Sequence, residues 1–253
     1  MSSDDLLPGA GHWGARFFGE LYRLTTLPLL APAQTARDVA VLARLLALPP
    51  GAVVLDLGCG HGRHAVPLAL GGLRVVGLEL DEPSLGLAAV AARGSGASLS
   101  LLRAELTELP LRDESLDGAF AFYSSLFIWD DVTNARVLAA IAAGLRPGGR
   151  FVHQSIDPAA LAARPRGSVR LPLPRGGEVL EESRFDPTTG RDEGVRTALL
   201  PGGRSLSARF SIRYPAADEL AALALGAGFV GAEILRGPQL GLGDDALVLV
   251  AKR

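Results

Sequence analysis

Residues 53–62, VVLDLGCGHG, constrain the fold of this chain more than any other stretch. The apolar half is typical of a buried strand in a parallel sheet, and the alternating glycines let the backbone turn sharply and approach a ligand at the strand's carboxyl end. A dinucleotide loop has the pattern G-x-G-x-x-G, whereas this loop is D-x-G-x-G-x-G and continues with Arg63. Because the Asp56 carboxylate would repel a pyrophosphate and attract a cationic amine, the loop favours a nucleoside cofactor that carries an amine.

Two later carboxylates follow strand-like runs at the spacing that such a cofactor requires. Residues 73–79 form a second predicted strand that ends in Glu79. This acid lies roughly 20 residues after the glycines, the spacing of a carboxylate that binds ribose hydroxyls. A third apolar run, 97–102, precedes Glu105 and Leu106, which are suited to accept a hydrogen bond from an adenine amino group and to cover the ring.

The sequence resembles the class I S-adenosylmethionine (SAM)-dependent methyltransferases. The matching pieces are VLDLGCGHGRH at 54–64, VVGLEL at 75–80 and LRPGGRF at 145–151, with GAGF at 226–229 similar to a closing unit of the family. The resemblance implies SAM as the cofactor and methyl transfer as the reaction. The stretch 124–129, SSLFIW, departs from the SSFGYF of one bacterial subgroup, so the activity of that subgroup is not carried over.

The resemblance also implies the cofactor site. Residues 56, 58 and 60 correspond to the loop on the methionine side, residue 79 to the ribose acid, and residues 105 and 106 to the adenine site. Glutamate stands at 79 and 105, where the family more often has aspartate, which changes the reach of both carboxylates. The predicted cofactor-binding residues are Asp56, Gly58, Cys59, Gly60, Glu79, Leu80, Glu105, Leu106 and Tyr123.

The predicted architecture is a Rossmann-like α/β fold with a seven-stranded, mostly parallel sheet and helices on both faces. Residues 1–50 form an N-terminal helical cap with helices at 10–24 and 34–47, and residues 51–253 form the SAM-binding methyltransferase domain. Between 166 and 213, short strand-like runs separated by turn residues predict an insertion of antiparallel hairpins after the fifth strand. The insertion either folds over the cofactor edge or extends a dimer surface.

Candidates on the acceptor side lie after the fourth predicted strand, 118–122, and on the first predicted helix. Tyr123 and Ser124 are candidates for ligand contact or catalysis, because they reach the sheet edge where the methyl group is expected. Tyr22 and Trp129 are candidate substrate-binding residues with Ser124. Aromatic residues at these spacings also occur as core, so Tyr22 with its neighbour Phe18 has a structural alternative, as has Trp129.

The sequence positions of the histidines give little support for a catalytic role. His153, in the fifth predicted strand, is a candidate base if its side chain faces the open edge, and the alternative is a buried histidine with a satisfied hydrogen bond. His61 and His64 are expected to contribute mainly their backbone, and His12 is undetermined. The histidines lack H-x-x-x-H spacing and the only cysteine is Cys59, so we predict no metal site and no disulfide. Arg63 is expected to pair with an acid near the cap.

Composition narrows the classes of molecule that this chain is expected to bind. The net charge is −2 and arginine is scattered beside acids, which disfavours bulk nucleic-acid binding. With no long apolar run and no basic leader, we expect a cytoplasmic protein with no membrane partner and a possible homodimer. The preferred function is methyl transfer from SAM to a small organic molecule. The alternatives are a methyltransferase acting on a tRNA base and a SAM-binding module without transfer activity.

Overall fold

The structure is a computed structural model that describes residues 13–253. Its strands are β1 (Val53–Leu57), β2 (Arg74–Glu79), β3 (Leu99–Arg103), β4 (Leu116–Ala121), β5 (Leu145–Ile156), β6 (Arg166–Pro172), β7 (Glu178–Asp186), β8 (Arg191–Leu199), β9 (Ser205–Arg213), β10 (Gly231–Arg236) and β11 (Ala246–Lys252). Its α-helices are α1 (Trp13–Arg16), α2 (Tyr22–Thr25), α3 (Pro32–Leu46), α4 (Ala65–Leu70), α5 (Glu82–Ser95), α6 (Asp131–Gly144), α7 (Pro158–Ala162), α8 (Ala217–Gly226) and α9 (Gly237–Leu240).

Seven strands form the main sheet, in the order β10-β11-β5-β4-β1-β2-β3. Strands β1 to β5 pair in parallel, and β11 runs antiparallel to both β5 and β10. The predicted Rossmann-like, mostly parallel sheet is therefore confirmed. The order reverses at β1, since β2 lies on one side of it and β4 on the other, and ligands of such sheets bind at the carboxyl ends of the strands at this point.

Strand β1 is apolar except for Asp56, because helices cover both faces of the sheet. Leu55 and Leu57 belong to a core cluster that includes residues of α6 and α8, whereas Val54 belongs to a second cluster that includes residues of α3 and α4. Alternation along the strand places the Asp56 side chain on the same face as Val54. The acid of the glycine-loop motif therefore points toward the α3 and α4 side of the sheet.

Aspartate side chains cap the starts of two helices. The Asp81 side chain accepts from the Ser84 N–H at 2.9 Å at the start of α5, and Asp130 accepts from the Thr133 N–H at 2.9 Å at the start of α6. A side chain that accepts from the third residue along satisfies one of the free N–H groups of the first turn. The start of α5 lies directly after β2, whereas the start of α6 follows the loop after β4.

The predicted insertion is confirmed as a four-stranded antiparallel sheet in the order β6-β7-β8-β9. Its β8 and β9 strands pack against the N-terminal helical segment, defined here as residues 13–25. The shared apolar cluster consists of Trp13, Phe17, Leu21, Ile128, Ala198, Ala208, Phe210, Ile212 and Tyr214. The insertion therefore supports the N-terminal segment from the side away from the main sheet.

The N-terminal segment is helical, as predicted, but it is not one regular helix. A π-helical turn at Phe17–Leu21 joins α1 to α2, and Gly19 inside it has a non-helical ψ of −124°. Residues 10–12 of the predicted helix, with His12, lie outside the described residues. Among residues 13–253, no helix combines the length and the apolar composition needed to cross a membrane.

Candidate active site

A cavity of about 530 Å³ lies at the carboxyl ends of β1, β2, β3 and β4. Ligand sites of small-molecule enzymes occupy roughly 300–1,000 Å³. The cavity has two kinds of wall. The first consists of the glycine loop and the turns after β2 and β3, and the second consists of the N-terminal segment and the loop after β4.

The glycine loop adopts left-handed backbone conformations that favour glycine. Gly58 has φ +76° and Gly60 has φ +53°. A Cβ atom on Gly58 would lie 2.8 Å from the Ser125 Oγ, so the loop packs tightly on the segment after β4. A Cβ atom on Gly60 would meet no atom within 4 Å, because this residue faces the cavity. The loop thus presents bare backbone to a ligand.

Glu79 is bound to the backbone of two turns. Its Oε1 accepts from the N–H groups of Leu80 and Asp81 at 2.7 and 2.9 Å, and its Oε2 accepts from the Gly60 N–H at 3.1 Å. Burial nevertheless raises the pKa of this carboxyl group, with the backbone hydrogen bonds acting in the opposite direction. Because an ionised carboxylate has about four acceptor positions, acceptor capacity remains for a ligand in the cavity.

Asp56 is placed differently from the other predicted ligands. It is buried and is not among the residues that line the cavity, and its Oδ2 atom has no hydrogen-bond partner among the described residues. Burial, with a smaller contribution from the Glu79 charge, raises its pKa to about 8. A cation placed near this buried carboxyl group would stabilise its ionised form.

The adenine-side candidates lie at the end of β3. Glu105 and Leu106 both line the cavity, and the Thr107 hydroxyl donates to the Glu105 Oε2 at 3.4 Å. Leu80 lines the same end and is 37% exposed, which is unusual for leucine and leaves apolar surface available to a flat ligand. This end of the cavity combines an acceptor with apolar walls.

The N-terminal segment covers the opposite side. Phe18 and Tyr22 line the cavity from this segment, and Ile128 and Trp129 line it from the loop after β4. The Arg23 guanidinium forms an ion pair with Asp81, the N-cap of α5, and so ties the segment to the cofactor side. The cavity is therefore enclosed by a segment far from the glycine loop in sequence.

The loop after β4 has an unusual backbone. Tyr123, Ser124 and Phe127 all have positive φ values, of 62°, 59° and 61°. Non-glycine residues adopt this region at an energetic cost that the surrounding structure must outweigh. Tyr123 is held by three groups: the Gln154 Oε1 accepts from its N–H at 3.0 Å, and its hydroxyl contacts Asp38 and Gln34. The strained loop thereby presents the Tyr123 ring to the cavity.

Comparison with known proteins agrees with this site. Residues 54–149 match the family described as "Methyltransferase domain". The chain is 31% identical over 169 residues to the ubiquinone biosynthesis O-methyltransferase of Agrobacterium fabrum, a match that covers 65% of this chain and 64% of the relative. The matched region thus spans slightly less than two thirds of that relative.

Solved structures share the fold over nearly the whole chain. The CcbJ methyltransferase from Streptomyces caelestis has a TM-score of 0.77 at 24% identity and covers 95% of this chain and 97% of its own. SAM-bound CalS10, an amino pentose methyltransferase from Micromonospora echinaspora, has a TM-score of 0.63 at 21% identity, with 87% and 91% coverage. The chain thus carries a methyltransferase domain at residues 54–149 and shares the fold of SAM-dependent methyltransferases.

The cofactor of the methyltransferase family, SAM, fits the residues present. The unpartnered Asp56 Oδ2 lies in a strand that leads directly into the cavity loop, and the open space above Gly60 accepts a closely approaching ligand. Glu79, Leu80, Glu105 and Leu106 supply an acceptor and an apolar surface at each of the next two strand ends. The assignment of these groups to an amine, a ribose and an adenine stays a prediction from the sequence.

Most predicted site residues line the cavity. They are Gly58, Cys59, Gly60, Glu79, Leu80, Glu105, Leu106 and Tyr123 on the cofactor list, and Tyr22 and Trp129 on the acceptor list. Their individual roles stay predictions. The Cys59 Sγ packs closely over β2, since a Cβ atom on Gly77 would lie 2.8 Å from it. Burial raises the pKa of the Cys59 thiol.

Besides Asp56, two predicted residues of the acceptor side do not line the cavity. Ser124 does not line the cavity, because its left-handed backbone turns the hydroxyl toward the Tyr214 hydroxyl, 3.3 Å away. His153 is 1% exposed, lies outside the cavity and places Nδ1 3.1 Å from the Ala121 carbonyl oxygen. Burial lowers its pKa to about 4. Its side chain does not reach the open edge, so the condition for a catalytic base is not met.

Sequence reasoning missed Asp38 on α3. This residue is fully buried and pairs with Arg63, which had been predicted to pair with an acid near the cap. The available signal was an acid inside an otherwise amphipathic helix, where a buried position is unusual for a charge. His61 was identified only for its backbone, yet its side chain contributes to the cavity wall and burial lowers its pKa to about 4.

Proposed function

We propose that this chain transfers a methyl group from SAM to a small organic acceptor. The observation that carries the proposal is the cover formed by Phe18 and Tyr22 over the strand ends. A cavity of about 530 Å³ with a wall from the chain's own N-terminal segment must hold the cofactor and the acceptor together. This space suits a small molecule next to a nucleoside.

The chemistry supplied by SAM is an electrophilic methyl group on a sulfonium. The residues of this chain contribute position and a dry environment. The carboxylate of Glu79 fixes the nucleoside, while Tyr22, Tyr123 and Trp129 limit the orientations of the acceptor. Holding reactants in line can supply about 7–11 kcal/mol of a barrier, so orientation is the main contribution that we assign to the protein.

Proton removal by the cavity tyrosine is not part of the proposal. The Tyr123 hydroxyl donates to the Asp38 carboxylate at 2.9–3.0 Å, and burial raises its pKa. His61 is a weak base, because burial lowers its pKa to about 4. We therefore expect acceptors that need no base from the protein, such as free amines or phenols already ionised in solution, and the aromatic walls favour an acceptor that contains a ring.

The tRNA alternative receives less support from the rim of the cavity. Arg23 is paired with Asp81, and Arg103 is paired with Glu82 at 3.3 Å. Binding to a phosphate backbone requires arginines that displace counterions from the phosphates. An arginine already paired with an acid contributes less to this attraction. The cytoplasmic location and the homodimer stay predictions.

The test begins with isothermal titration of SAM and S-adenosylhomocysteine. Transfer is then measured with methyl-labelled SAM against a panel of phenols, amines, a metabolite extract and total tRNA. Label in a small molecule supports the proposal, whereas label only in tRNA supports the alternative. Tight binding without any transfer would identify a binding module. Gly60→Val, checked for folding by thermal unfolding, serves as the cofactor-blocked control because its side chain fills the space in front of the loop.

A further inference from the structure

Asp38 binds three residues of the cofactor side without lining the cavity itself. Its Oδ2 accepts from the Arg63 Nη1 at 3.1 Å and lies 3.3 Å from the His64 Nε2, and both of its oxygens accept from the Tyr123 hydroxyl. The residue is 0% exposed. Since an unpaired charge at such depth is costly, the carboxylate requires a cation, and Arg63 is the cation that it contacts.

The Arg63 guanidinium lies at the cavity wall. The side chain is only 9% exposed, and its Cζ lies 4.3 Å from the centroid of the Tyr123 ring. The positive charge of Arg63 lowers the pKa of Asp56 and so opposes the effect of burial. The two groups are therefore within electrostatic reach. His64 adds no second positive charge near neutral pH, because burial lowers its pKa.

SAM and its product differ by one charge. The sulfonium of SAM is cationic, whereas the thioether of S-adenosylhomocysteine is neutral. An uncompensated arginine at the wall would penalise the first ligand and leave the second nearly unaffected, because Coulomb repulsion is strong where water is excluded. Resting on the proposed function, we infer that Asp38 is a specificity-determining residue whose carboxylate cancels the charge of Arg63 and thereby makes the cavity accept the sulfonium cation.

Other charged groups near the loop do not replace this pair. Glu79 is bound to three backbone N–H groups, and Asp81 is paired with Arg23 on the N-terminal segment. Asp56 is predicted to bind the amine that SAM and S-adenosylhomocysteine share, so it does not distinguish the two ligands. Asp38 is thus the carboxylate that contacts Arg63 directly.

The measurement is the ratio of the dissociation constants of SAM and S-adenosylhomocysteine, determined by calorimetry at low salt on the full chain. Asp38→Asn keeps the shape and one acceptor for the Tyr123 hydroxyl but removes the charge. We expect the ratio of the SAM constant to the product constant to rise by about tenfold. Arg63→Gln removes the opposite charge and is expected to lower the ratio, and the double variant is expected to restore it.

Tyr123→Phe is the matched control, because it removes a hydrogen bond to Asp38 and leaves both charges in place. Its effect on the two ligands is expected to be equal. If Asp38→Asn fails to fold, Arg63→Gln carries the test alone. An unchanged ratio in the folded variants overturns the inference while the proposed function stands. If the wild-type chain binds neither ligand, the proposed function falls and the inference falls with it.

Discussion

The two walls of the cavity are built in different ways. The cofactor wall comes from turns directly after β1, β2 and β3, and its polar groups bind neighbouring backbone, as Glu79 does with Gly60. The acceptor wall comes from the N-terminal segment and the loop after β4, and it depends on the antiparallel sheet behind it. Local sequence thus forms the first wall, and packing between distant segments forms the second.

This difference separates binding from support. Strands β8 and β9 lie behind the acceptor wall, yet none of their residues lines the cavity. Phe17 packs against Phe210 with ring centroids 5.2 Å apart, whereas the adjacent Phe18 faces the cavity. One helical turn therefore presents one aromatic ring to the sheet and the next to the ligand.

The largest expected effect is on the support of the acceptor wall. Phe17→Ala removes a ring that is 5% exposed, and we expect a loss of about 3–5 kcal/mol in the free energy of unfolding. Chemical denaturation checks this value. Phe18→Ala is the control, with a smaller stability loss and weaker acceptor binding. Equal stability losses in both variants would contradict the division between the two faces.

The next effect lies where the two walls meet. Gly58→Ala combines a left-handed backbone with a close approach to the Ser125 side chain, and we expect a loss of about 2–4 kcal/mol in unfolding free energy. Ser125→Gly in the same chain should recover part of it. Gly94→Ala on α5, where a new Cβ meets nothing within 4 Å, is the control that should not destabilise. No recovery in the double variant would show that the contact is not limiting.

A smaller effect tests the cofactor wall alone. Glu79→Ala removes a carboxylate assigned to the ribose, and we expect SAM binding to weaken by about 1.5–3 kcal/mol, measured by calorimetry. Glu108→Ala, an exposed acid after β3 that does not line the cavity, is the matched control. Unchanged SAM affinity in folded Glu79→Ala would remove the ribose assignment.

The smallest effect concerns a group that belongs to neither wall. Burial lowers the pKa of His153 to about 4, below the ordinary value of 6.5, so the unfolded chain takes up its proton first as pH falls. Stability is therefore lost as pH falls from 6.5 toward 4, by about 1.4 kcal/mol at pH 5.5 for this group. His153→Gln should reduce the difference in unfolding free energy between pH 7.5 and 5.5. An identical pH dependence in both proteins would refute the buried, neutral state.

The cofactor wall could be predicted residue by residue because each of its groups follows a strand of the motif. Glu79, Glu105 and the glycines keep fixed distances from their strand ends, and parallel strands bring those ends to one edge. Asp56 shows the limit of that argument. Its position in sequence was clear, but its depth below the cavity depends on how α3 and α4 cover that face of the sheet.

The acceptor side was predicted less completely, since contacts across many residues decide it. Ser124 follows β4 as expected, yet a left-handed backbone directs its hydroxyl to Tyr214. Asp38 gave no motif, and its importance appears only where α3 meets Arg63 and Tyr123. The insertion was located correctly by its turn residues, but its packing behind the N-terminal segment was not among the two predicted alternatives.

The sequence by itself determined the parallel sheet, its cofactor edge and the antiparallel insertion, because strand periodicity, glycine turns and helix caps act over a few residues. The tertiary structure decided what closes the cavity, which candidates face it and how the charge of Arg63 is balanced. Those outcomes depend on burial and on contacts between segments such as Asp38 and Tyr123, 85 residues apart. Local preferences do not specify such pairings, because their energies arise only when the packed core removes water from both partners.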